Sequence, residues 1–195
     1  MGNTKEEILT VALHLFARDG YEAVSVSRIA GELGMTKGAL YRHYQNKRDI
    51  FEHIVKRMEQ GDSEQAEKNN VPEEEMEKDP EKYQETTMED FLEYSKSMFK
   101  YWTEDDFASS FRKLLTLEQF RNEEMQGLYQ QYLASEPVGY VKDLFQSMGI
   151  ADADYKAVQF YAVMYLYYSI YDGAQDKEKV TKELEAALNE MIREF

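Results

Sequence analysis

In the first sixty residues apolar side chains return every three or four positions. Ile8, Leu9, Ala12, Leu13, Leu15 and Phe16 make one such stripe, the spacing of a helix with a single buried face. Thr4 and Glu7 ahead of it fit a capping box, and Gly20 behind it can take the left-handed conformation that ends a helix. Ser25 is the next cap and opens a brief helix through Ile29, Ala30 and Leu33, which stops at Gly34. Thr36 caps a third helix that runs on towards Tyr44. Asn46, with Asp49 three residues later, opens a longer fourth one bearing Ile50, Phe51, Ile54, Val55 and Met58.

Beyond Glu59 the chain turns acidic and contains Pro72 and Pro80. The fourth helix is expected to fade near Asn69-Asn70, leaving 71–82 as an exposed acidic connection. The run Glu73-Glu74-Glu75 suits a solvated loop better than a metal site, because consecutive residues of a helix point apart. Thr87 and Asp90 look like another cap, ahead of Phe91, Leu92, Ser95, Met98, Phe99 and Trp102 on one face. Further helices are expected over 104–117, over 122–148 with a kink at Pro137 and Gly139, over 153–172 capped by Asp152, and over 176–195. The stretch AVQFYAVMYLYYSIY is apolar or aromatic around nearly its whole circumference, more than one buried face needs. One side is expected to meet the body's own core and the other a second copy, with the last helix (Val180, Leu184, Leu188, Met191, Ile192) closing a four-helix bundle about a twofold axis.

The pattern predicts an all-α fold: a three-helix domain with a helix-turn-helix over 1–46, then a larger helical body over 47–195 whose segment 47–69 links the two. Cysteine is absent, which removes disulfides, zinc–thiolate sites, iron–sulfur clusters and thiol nucleophiles. No run of 18 apolar residues occurs, and the start MGNTKEEILT lacks a signal-peptide layout. A soluble cytoplasmic protein without membrane, metal or cofactor is the expectation. The net charge of −15 is unevenly placed: residues 1–58 hold nine basic and seven acidic side chains, so the remainder carries −17. A mildly basic head suggests that this part approaches a polyanion, although ordinary surface variation gives the same numbers.

A helix, a glycine-containing turn and a second helix form the layout that places side chains in a DNA groove. Thr36 would cap the second helix and face a phosphate with its free amides. Lys37, Tyr41, Arg42, His43, Tyr44 and Lys47 put donors and rings within about two turns of it. Each has a plainer role open to it. Tyr41 and Tyr44 can pack a core, His43 can be a solvated surface residue, and Lys47 and Arg48 can sit at an exposed helix start. His14 and His53 are read as structural. Gly38 within a helix costs ~1 kcal/mol against Ala, a loss that a close approach to DNA or to a neighbouring helix would explain.

The run Ile8, Ala12, Leu15-Phe16, Gly20-Tyr21, Val24-Ser25-Val26, Ile29-Ala30, Leu33 through Tyr41, His43-Tyr44, Lys47 and Ile50-Phe51 closely resembles the DNA-binding domain of TetR-family transcriptional regulators. The resemblance implies a homodimeric repressor on a double-stranded operator, released when a small-molecule inducer enters the second domain. It implies phosphate contacts for Thr36, Tyr41 and Lys47, groove-facing places for Lys37, Gly38, Ala39, Arg42 and His43, and backbone contacts for Ser25, Ser27 and Arg28. Tyr44 stands where phenylalanine is commoner, and its hydroxyl needs a partner or solvent.

Tyr and Met beside acids suit a pocket for large, flat or cationic ligands, though an aromatic stripe at helical spacing is core more often than pocket. Ser95, Met98, Trp102, Phe111, Leu115, Tyr129, Tyr161 and Tyr165 are the candidates for a pocket lining, chiefly by the resemblance. The leading reading is a dimeric, sequence-specific repressor released by a small apolar or amphipathic inducer. The alternative is a DNA-bound regulator without an inducer, acting through protein contacts. For an enzyme the usual constellations are missing: there is no P-loop, GxGxxG or H-E-x-x-H, so no catalytic residue is assigned.

Overall fold

A computed structural model describes residues 4–195. Among them lie eleven helices and no strand: α1 (Thr4–Asp19), α2 (Val26–Glu32), α3 (Lys37–Leu40), α4 (Lys47–Lys68), α5 (Pro80–Glu85), α6 (Met88–Glu104), α7 (Asp106–Glu118), α8 (Glu123–Leu133), α9 (Ser135–Ser147), α10 (Ala153–Gly173) and α11 (Lys177–Arg193). The chain forms two compact units. The first runs to Gly61 and takes in 106–129; the second consists of 62–105 and 130–195. This division is drawn by packing, and it differs from the expected boundary at 46/47 because α7 lies along α1.

In the first unit the stripe of α1 is buried as its spacing requires, with Ile8, Ala12, Leu13 and Phe16 joined by Ile29, Leu40, Ile50 and Ile54. From α7 come Phe107, Ala108, Phe111, Leu114 and Leu115. The punctuation is local. Gly20 and Gly34 both have positive φ, at 88° and 65°, a region open to glycine at no steric cost. Ser25 Oγ accepts from the Arg28 amide at 3.2 Å and Thr36 Oγ1 from the Ala39 amide at 3.2 Å. Asn46 caps α4 through the Asp49 amide at 2.9 Å, and the Asp49 carboxylate accepts from Gln45 N at 2.7 Å.

In the second unit α10 packs against α9, α11 and α6, and α5 against α9. The buried side of α10 is a regular stripe of Ala153, Ala157, Phe160, Met164, Tyr168 and Tyr171. Its other side leaves Tyr155, Val158, Tyr165, Leu166 and Ile170 exposed. Thr87 and Asp90 form a complete capping box on α6.

Several expectations are corrected. Thr4 is already helical and so is not the cap foreseen for α1. The helix expected over 122–148 is two helices, broken at Ala134 with φ −136° and ψ −99°. The break places Pro137 in the first turn of α9, where its missing N–H costs nothing; in a continuous helix its ring would meet the Leu133 carbonyl. Asp152 precedes α10 but makes no capping bond, since it sits in the left-handed region at φ 56°. The connection 71–82 is anchored rather than wholly exposed: Val71 and Pro72 are buried, and Asp79 caps α5 from Pro80 onward.

Candidate nucleic-acid interface

The turn between α2 and α3 is held by backbone bonds from Gly34 N to Gly31 O at 3.1 Å and from Met35 N to Ala30 O at 2.9 Å. Regular helix in α3 spans four residues, shorter than the run to Tyr44 that the pattern suggested. Bonds from Arg42 N to Ala39 O and from His43 N to Leu40 O, at 3.2 and 2.9 Å, keep the next turn wound but tighter. Leu40 and Tyr44, four apart, face inward, and Tyr44 is 2% exposed. Its hydroxyl donates to the Lys5 carbonyl at 3.3 Å, so Tyr44 is a core residue whose extra oxygen has a partner.

The outward side of this segment is polar and cationic. Thr36, Lys37, Gly38, Tyr41 and Arg42 are exposed, and Ala39 and His43 are half-buried. Lys37 Nζ stands 5.6 Å from the Tyr41 ring centre, within range of a cation–π attraction. A Cβ on Gly38 would meet no atom of this chain within 4 Å. The neighbouring helix therefore does not require this glycine.

On α2, Ser25, Ser27 and Arg28 are exposed. Ser25 is occupied as the cap of α2, and Arg28 pairs with Asp19 at 2.9 Å. A hydrogen bond from Arg18 holds the Asp19 carboxyl below its usual range. Lys47 is more deeply engaged than the sequence suggested. Its ammonium donates to the Tyr21 carbonyl at 2.8 Å, lies 4.2 Å above the Tyr21 ring and is 3.6 Å from Glu22, with 23% of the side chain exposed. Arg48 pairs with Glu52 and Glu124. His14 donates to Asp106 at 2.7 Å, and His53 to the Asp49 carbonyl at 2.8 Å.

Sequence reasoning missed Glu118. Its side chain is 1% exposed, accepts from the Tyr21 amide at 3.3 Å and pairs with Arg121 at 2.8 Å. A Cβ at Gly20 would lie 2.7 Å from Arg121 Nη1 and 2.9 Å from Glu118 Oε1, so a larger residue there would displace the ends of this pair and be strained at the positive φ as well. Partners 97 residues apart leave no local signal to find.

The eight pocket candidates come from both units. Phe111, Leu115 and Tyr129 are buried in the first unit. In the second, Trp102 is buried with its ring 6.1 Å from Tyr132, and Ser95 is buried with its hydroxyl on the Phe91 carbonyl at 2.8 Å. Met98 and Tyr161 are half-buried. Tyr165 lies on the exposed side of α10 beside Leu166. Among the described residues no cluster of three or more His, Asp or Glu could hold a metal, and no helix is long and apolar enough to cross a membrane.

The model of the family described as bacterial regulatory proteins, tetR family, matches residues 8–54, which span α1 to the first turns of α4. The head of this chain is thus similar to that of the tetR family. The regulator AcrR of Shigella flexneri, named an HTH-type transcriptional regulator, is 43% identical over 51 residues, covering 26% of this chain and 24% of the relative. The chain thus matches about a quarter of that relative's length. Over nearly the whole chain the likeness is one of fold. A transcriptional regulator of the AcrR family from Aquifex aeolicus VF5 superposes with a TM-score of 0.72 at 17% identity, covering 96% of this chain and 98% of the other. The SmeT–triclosan complex does so with a TM-score of 0.68 at 17% identity, covering 97% and 90%. The matched relatives are transcriptional regulators, a family without enzymes.

Proposed function

We propose that this chain is a sequence-specific DNA-binding repressor that acts as a homodimer on a double-stranded operator. The observation that carries the reading is the outward side of α3 and its following turn. Thr36, Lys37, Tyr41 and Arg42 stand exposed around a glycine for which the chain's own packing gives no reason. In this reading residues 1–46 are the reading head, 47–69 the link and the rest the body. Lys37, Arg42 and His43, with the backbone at Gly38 and Ala39, approach base edges, while Thr36, Tyr41, Ser25, Ser27 and Arg28 hold phosphate oxygens. Lys47 has a smaller part, since its ammonium already serves Tyr21 and Glu22.

The dimer is built from α10 and α11, the exposed apolar side of α10 being its centre. Two copies would set their recognition helices ~34–36 Å apart, one turn of B-DNA. Release follows when a small apolar or amphipathic inducer binds the body and favours the DNA-incompetent arrangement. The shift equals the ligand's difference in affinity between the two states. The fold shared with SmeT, whose complex holds triclosan, supports a body that takes such a molecule. The deciding experiment is selection of bound fragments from the source genome, followed by titration of the recovered site. Tight binding to a dyad site with a steep salt slope is expected, and absence of binding at low salt overturns the proposal.

A further inference from the structure

Asp19 breaks a local rule. It is the last residue of α1, and an acid at that place lies against the negative end of the helix dipole. Two arginines compensate for it. Oδ2 of Asp19 accepts from Arg18 Nε at 3.0 Å and stands 2.9 Å from Nη2 of Arg28 on α2. The hydrogen bond from Arg18 keeps the carboxyl ionised, below its usual range. Both guanidiniums remain within reach of an outside partner, since 61% of the Arg18 side chain and 43% of the Arg28 side chain are exposed.

Arg28 lies in the first turn of α2 beside Ser25 and Ser27, which are exposed with it. The cations of the head thereby fall into two kinds. Among the described residues no carboxylate pairs with Lys37 or Arg42, the side chains read above as approaching base edges. The cations nearer the duplex backbone in that reading are each opposed by an acid, Arg28 by Asp19 and Lys47 by Glu22 at 3.6 Å. Phosphate contacts supply the sequence-independent attraction and its salt dependence, whereas base contacts carry discrimination. Acids set against the first kind and not the second weaken adhesion to duplex while leaving the base-reading side chains open.

We propose that Asp19 is a positioning residue that holds Arg28 and Arg18 back from phosphate, and so weakens the head's hold on duplex DNA of any sequence. The proposal rests on the reading that the first turn of α2 faces the DNA backbone, and it adds an opposing part for an acid outside the contact residues. Asp19 acts only through the two guanidiniums. Each must exchange one charge-assisted hydrogen bond, to the carboxylate, for another to a phosphate oxygen, and the carboxylate left behind still repels the backbone.

Titration of the full chain into a fluorescein-labelled duplex of mixed sequence, followed by anisotropy over a series of salt concentrations, tests this without knowledge of the operator. Asp19→Asn is expected to bind about tenfold more tightly at low salt, with a slope of log K against log salt steeper by about one. Glu32→Gln removes the same charge from the exposed end of α2 and should change the slope far less. In an Arg28→Ala background Asp19→Asn should lose most of its gain. An Asp19→Asn chain with unchanged or weaker binding, an equal gain from Glu32→Gln, or a full gain without Arg28 overturns the role of Asp19. Should Asp19→Asn not fold, Asp19→Gln carries the same neutral amide and is read in its place. A parent chain that binds no duplex at low salt removes the DNA reading and this proposal together, whereas a parent that binds while Asp19→Asn brings no gain removes the proposal alone.

Discussion

Tyr41 and Tyr165 expose nearly the same share of their surfaces, 43% and 40%, in opposite company. Tyr41 has Lys37 beside its ring and Arg42 next in the chain, on a segment whose inner residues Leu40 and Tyr44 are fully occupied. Tyr165 is followed by Leu166 and shares its side of α10 with Val158 and Ile170. An exposed aromatic is uninformative by itself, and its neighbours carry the meaning. Exposed rings among donors suit a partner with charged oxygens. Exposed rings among aliphatics suit a partner that removes apolar surface from water, worth ~25 cal/mol per Å² buried.

The comparison is easiest to break at α10. Replacing Leu166 and Ile170 together with Glu is expected to convert the proposed dimer into monomers of 22.9 kDa by light scattering and to abolish operator binding. An unaltered mass would mean that this side is not the subunit contact. Next in size, Arg42→Ala should cost about 1–3 kcal/mol of operator affinity and relax base preference, with no change in mass or melting temperature. Lys47→Ala should lower stability by about 1 kcal/mol, because it removes a hydrogen bond to the Tyr21 carbonyl and a cation over its ring. Unchanged melting with a flatter salt slope would return Lys47 to a purely phosphate-binding role. The smallest change is the sharpest. Gly38→Ala should stabilise the free protein by up to ~1 kcal/mol, since the added methyl meets nothing within 4 Å. It should also weaken operator binding, and a variant both more stable and fully active would sink the idea of a close backbone approach.

The first unit was the more legible region. Its caps at Ser25, Thr36 and Asn46 accept from amides three residues ahead, so the signal and its partner share a few adjacent residues. Gly20 and Gly34 likewise declare positive φ through their identity. Less could be read in the body. Pro137 reads as a kink from sequence, yet the chain breaks earlier, at Ala134, so that the proline falls in a first turn.

From its residues alone this chain declares that it is helical throughout, where its head turns, and which short segment of that head presents donors. Those are consequences of contacts between near neighbours in sequence, which hold wherever the segment ends up. The interior location of Glu118, the diversion of Lys47 to Tyr21, the partner of the Tyr44 hydroxyl and the packing of the Tyr83 ring on Tyr140 came from the folded molecule. Each joins positions from 26 to 97 residues apart or on separate helices. No periodicity encodes such meetings, because they are settled by how whole helices pack.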